Sequence, residues 1–136
     1  MNVEGSADSS AIYAYEIPSD LSKSWTRHTI ASGFSCDGSG FNQAAPGFIY
    51  PVHPRTSQTN EKPHILVAGD GAKAAYLLTP LADGFSYTQE TIISTGGTIG
   101  AMAVDDIDGD GLAEFFFGDY DNGVVYAYRF SESASL

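Results

Sequence analysis

The run Asp106-Ile-Asp108-Gly-Asp110-Gly111-Leu112-Ala-Glu114 carries the densest chemistry in the chain. Counted from Asp106, carboxylates stand at positions one, three, five and nine, and Gly111 at position six frees the backbone to turn sharply. Alternate residues of a tight loop point inward. The side chains of Asp106, Asp108, Asp110 and Glu114, with the carbonyl oxygen of Leu112, therefore form a candidate oxygen cage for a hard cation. Ca²⁺ takes several such oxygens at roughly 2.3–2.6 Å, whereas Mg²⁺ keeps more of its waters and uses few carboxylates. Calcium is the expected ion and magnesium the weaker candidate.

The competing reading of these residues is a solvated acidic turn. Charge density argues against it, because Asp105, Asp106, Asp108, Asp110, Glu114, Asp119 and Asp121 crowd together while no Lys, Arg or His occurs from Ala74 to Tyr128. Like charges so close repel, and a divalent cation relieves the repulsion. An EF-hand would need a bidentate glutamate at position twelve and a helix on each side. Position twelve is Phe117, and the flanks Ile99–Val104, Phe115–Phe117 and Val124–Tyr128 are rich in β-branched and aromatic residues between close breakers. The loop is expected to join two β-strands.

The run from Ile99 through Met102-Ala-Val-Asp-Asp-Ile-Asp-Gly-Asp-Gly-Leu-Ala-Glu114, the apolar stretch ending at Gly118, and Gly123-Val-Val-Tyr-Ala-Tyr128 together resemble one blade of the FG-GAP/VCBS-type repeat. That repeat builds calcium-bearing β-propellers. The resemblance implies an antiparallel four-stranded blade whose first two strands are joined by the metal loop, and a secreted or extracellular setting. Glu114 departs from the family's usual aspartate at the ninth position by one added methylene.

Other stretches repeat the plan of this segment. Ala11-Ile-Tyr-Ala-Tyr-Glu-Ile17, a Pro18–Lys23 turn and Trp25-Thr-Arg-His-Thr-Ile30 are answered by Ala74-Ala-Tyr-Leu-Leu78, an Asp83-Gly84 turn and Tyr87-Thr-Gln-Glu-Thr-Ile92. Ile65-Leu-Val-Ala-Gly-Asp70 likewise answers Glu114-Phe-Phe-Phe-Gly-Asp119. The interval is roughly 50 to 60 residues, the period of a four-stranded propeller blade. The predicted organisation is all-β: a disordered N-terminus over 1–10, a partial β-propeller over 11–130 and a tail over 131–136. Within the propeller, 11–31 supplies the third and fourth strands of one blade, 40–94 a complete blade and 98–130 an incomplete one. Because propellers close rings of about four to eight blades, the remaining blades are expected from a longer parent chain or from homo-oligomerisation. In the middle blade Pro51–Pro63 replaces the acidic run, so no second calcium site is expected there. With Ser32–Gly40 it makes the longest irregular region, of a kind that is commonly functional or disordered.

The chain has 136 residues and a formal charge of −11, which disfavours nucleic acid and anionic membrane surfaces as partners. No apolar run reaches membrane-spanning length, and Met1–Asp8 lacks signal-peptide features. Cys36, the one cysteine, excludes an internal disulfide and is read as inert.

His28, His53 and His64 lack ligand spacing. Zinc held by a histidine pair with Asp70 would need loop and strand to converge; the simpler expectation is a strand-face His28, a loop His53 between prolines and a His64 at a strand start. A Tyr50/His53 acid–base pair would suit β-elimination on a sugar acid. Trp25, Tyr87, Tyr120 and Tyr126 offer flat faces for sugar stacking, although inter-blade packing is the expected role of Trp25 and Tyr87, with Tyr120 the best exposed. No catalytic residue is assigned. The expected role is a calcium-binding scaffold or recognition module for glycans or protein partners. The alternative is the propeller portion of a carbohydrate-active enzyme resembling polysaccharide lyases or aldos-2-ulose dehydratase.

Overall fold

A computed structural model describes residues 10–34, 36 and 44–131, and expectations for 1–9, 35, 37–43 and 132–136 lie outside these. The described residues form nine strands and no helix: β1 (Ser10–Glu16), β2 (Thr26–Phe34), β3 (Ile49–Val52), β4 (His64–Ala68), β5 (Ala74–Pro80), β6 (Tyr87–Ser94), β7 (Ile99–Asp105), β8 (Glu114–Asp119) and β9 (Val124–Arg129). They pair in chain order into sheets β1-β2, β3-β4-β5-β6 and β7-β8-β9, and every pairing is antiparallel. The fold is all-β without a closed barrel, consistent with an incomplete propeller-like arrangement. Its division into two, four and three strands follows the internal repeat.

The middle sheet is covered on both faces, which explains its sequence. On one face Val52, Leu66, Ala68 and Ala75 pack with Ile99, Ala113, Phe115, Phe117 and Phe130. On the other, Val67 and Leu78 pack with Ile12, Ile30, Ala31, Phe34, Cys36 and Ala45. Successive side chains of a strand point to opposite faces, so β4 must be apolar at consecutive positions, and Leu66, Val67 and Ala68 are fully buried. An antiparallel bridge between Asp70 and Ile99 links the middle and third sheets.

The structure revises the bounds of the irregular region. Pro51 and Val52 belong to β3, where a proline is tolerated because β3 is an edge strand that pairs with β4 alone. The segment that follows is a folded turn: Gln58 N–H donates to Arg55 O at 3.0 Å, and Glu61 N–H to Gln58 O at 3.2 Å. Lys62 Nζ then donates to the carbonyls of Leu81, Asp83 and Ser86 at 3.2, 3.2 and 2.7 Å. The ammonium also lies 4.3 Å from the centre of the Tyr87 ring. Tyr87 therefore packs against the core, as expected. Trp25 does not pack as its repeat partner does, and is 48% exposed. Unlike the middle sheet, the β1-β2 sheet has core on one face only among the described residues.

Candidate metal centre

The β7-β8 register sets Asp105 opposite Glu114, which closes residues 106–113 into a loop between two strands. Gly109 and Gly111 take φ values of 75° and 86°, a region costly for residues with a Cβ. Each acidic side chain then uses one oxygen to fix the loop backbone. Asp106 Oδ2 accepts from Gly111 N–H at 3.0 Å, and Asp108 Oδ1 from Asp110 N–H at 3.1 Å. Asp110 Oδ1 accepts from Leu112 N–H at 2.8 Å, and Glu114 Oε2 from Ile107 N–H at 2.9 Å.

Asp106, Asp108 and Glu114 each present a carboxylate oxygen within 4.8 Å of the others, a grouping that could hold a metal ion. Glu114 is only 8% exposed, and its Oε1, like Oδ1 of Asp106, is buried without a hydrogen-bond partner. A buried polar atom left unpartnered costs about 1–3 kcal/mol, and more when it is charged. Acceptors within one acidic group cannot satisfy one another. A bound cation would.

Of the five residues expected to form the cage, the structure gathers the carboxylates of Asp106, Asp108 and Glu114. Asp110 stands beside this group, one oxygen on Leu112 N–H and the other 3.6 Å from Arg129 Nη1. Leu112 is buried within an antiparallel bridge to Arg55. Arg129 also lies 3.8 Å from Asp108 Oδ2. Sequence reading overlooked this contact, although counting along a hairpin that pairs Asp119 with Val124 places Arg129 opposite Glu114.

The other candidates disperse. His28 stacks on Phe85 with ring centres 3.8 Å apart and meets Glu16 Oε2 at 2.8 Å. His64 opens β4 and packs edge-on to Phe130. Burial, and secondarily the nearby charge of His53, push the His64 imidazole below its ordinary pKa, so it favours the neutral form. Among the described residues no hydrogen bond joins Tyr50 to His53, and no zinc-type group forms around the histidines and Asp70. Tyr120 is 85% exposed in the turn after β8. Cys36 is buried and free of a disulfide.

Searches against protein-family models, curated proteins and solved structures return no significant match.

Proposed function

We propose that this chain is a calcium-binding, propeller-type β-module of the FG-GAP/VCBS kind, serving as a scaffold or recognition surface for glycans or protein partners in a secreted protein. The observation that carries the metal reading is the pair of buried, unpartnered oxygens on Asp106 and Glu114 within one acidic group. The role of the ion is structural: it ties the end of β7 to the start of β8 and stabilises the fold by binding the closed loop in preference to the unfolded chain. Calcium is favoured over magnesium because three carboxylates converge, a charge-rich oxygen set of the kind calcium accepts, whereas magnesium is usually held by one or two carboxylates. The test is thermal melting with EDTA, calcium or magnesium. Calcium at about 100 times its Kd contributes about 2.7 kcal/mol, which for a chain of this size raises Tm by about 10 °C. Identical melts in EDTA and calcium would refute the site.

One observation favours the enzyme reading as a second proposal. The segment after β3 is ordered and its Arg55 pairs with Leu112 beside the acidic loop. Activity of the intact protein on uronate polymers or anhydro-sugars, lost in His53→Ala, would establish that reading; inactivity on both removes its support.

A further inference from the structure

We infer that the segment following β3 is a positioning element of the metal loop, so that ion binding and docking of this segment reinforce each other; this rests on the calcium reading of the site. Backbone hydrogen bonds make the contact. Thr56 N–H donates to Gly111 O at 3.1 Å, and Ala113 N–H donates to Pro54 O at 3.0 Å, around the antiparallel bridge of Arg55 with Leu112. These bonds hold the residues on either side of Leu112, whose carbonyl is the main-chain ligand of the proposed cage. On the opposite side, Phe130 N–H donates to Ala113 O at 3.2 Å.

The clamp matters because of Gly111. This residue gives its N–H to Asp106 Oδ2 and its carbonyl to Thr56, at a φ of 86°. A glycine at that point leaves the following carbonyl free to swing. The bridge to Pro54–Thr56 removes that freedom. The segment is itself anchored, since Lys62 is bonded to three carbonyls of the β5–β6 turn. A segment lacking the acidic run thus supports the cage of the next sheet rather than forming one of its own.

Linkage requires the effect to run both ways: if docking strengthens calcium binding, calcium strengthens docking by the same factor. Two measurements test this on the whole chain. In the wild type, hydrogen exchange at the Thr56 amide is expected to slow roughly two- to tenfold between EDTA and saturating calcium, the worth of one backbone hydrogen bond. In Thr56→Pro, which has no N–H to donate, calorimetric titration with calcium is expected to give a Kd weaker by a similar factor. Calcium binding by the wild type with unchanged Thr56 exchange, or with equal affinity in a folded Thr56→Pro, overturns this inference and leaves the metal site standing. No calcium binding by the wild type overturns both. The exchange measurement needs no variant, so it decides the matter even if Thr56→Pro fails to fold.

Discussion

Replacing Glu114 with glutamine should raise stability in the absence of metal and remove most of the gain from calcium. In the wild type without metal, Glu114 Oε2 is bonded to Ile107 N–H while Oε1 is buried and unpartnered, as is Asp106 Oδ1. Glutamine has the same shape. Its carbonyl oxygen can keep the bond to Ile107, and its amide group then supplies a donor where the wild type places a second acceptor. One unsatisfied buried acceptor is exchanged for a donor within the acidic group, and one charge leaves a side chain that is only 8% exposed. Relief of the unpartnered oxygens is worth about 1–3 kcal/mol, so Glu114→Gln in EDTA should melt about 4–10 °C above the wild type. With calcium that advantage closes. The wild type gains about 2.7 kcal/mol at 100 times its Kd, whereas the variant offers the ion a neutral amide and loses most of that gain. Paired thermal melts by circular dichroism in EDTA and in calcium would show a large calcium-induced shift for the wild type and a small one for the variant. A variant less stable than the wild type in EDTA, or one that keeps the full calcium-induced shift, would refute the argument that the buried oxygens await a cation.

The remaining expectations probe the pH response and the packing. Because burial lowers the folded pKa of His64, the unfolded chain binds its proton more readily; the sign is therefore that stability falls as pH drops below about 6.5, while above that value the effect vanishes. His64→Phe keeps a ring against Phe130, and its melting temperature should vary less between pH 7 and 5.5 than that of the wild type. Asp119, lowered chiefly by its bond from the Asn122 side chain, and Asp121, lowered chiefly by Thr98 N–H, act in a separate window: their contributions are lost as pH falls below the usual carboxylate value of 3.8. Phe117 is fully buried between Phe115 and Tyr128, so Phe117→Ala should cost about 3–5 kcal/mol in urea unfolding. Gly97→Ala would drive a Cβ into Asp119 Oδ1 and to 2.8 Å from Asn122 Nδ2, and should lower stability by about 1–3 kcal/mol in the same assay.

What could be read from the residues was what side chains announce. The repeated Trp25-Thr-x-x-Thr-Ile30 and Tyr87-Thr-x-x-Thr-Ile92 runs fall on β2, with Trp25 one residue ahead of it, and on β6, and the apolar stretches before Asp70 and Asp119 fall on β4 and β8. The acidic spacing announced a loop between strands because carboxylates and glycines alternate there. Trp25 misled, since a shared motif predicts a shared strand but not a shared neighbour, and among the described residues the β1-β2 sheet has core on one face only. The docking of Pro54–Thr56 on Gly111–Ala113 was invisible for a different reason. Backbone hydrogen bonds between distant segments need no particular side chain, so they leave no pattern to find.

The position of the acidic loop explains why a cation, rather than the nearby arginine, is suited to it. Glu114 is at once the last member of the acidic group and the first residue of β8, and the next residue, Phe115, already lies in the core shared with the middle sheet. Whatever neutralises Glu114 therefore fixes the entry of the central strand of its sheet. Arg129 approaches Asp108 and Asp110 no closer than 3.6 Å, and its side chain is 60% exposed, a geometry worth little in water. It also leaves the two innermost oxygens untouched, since both of its contacts are to the outer carboxylates. A small ion would reach inside, where a guanidinium on β9 does not. Its stabilisation should then concentrate at the β7-β8 junction and the segment docked on it, leaving the β1-β2 sheet, which packs in a separate cluster, almost unaffected.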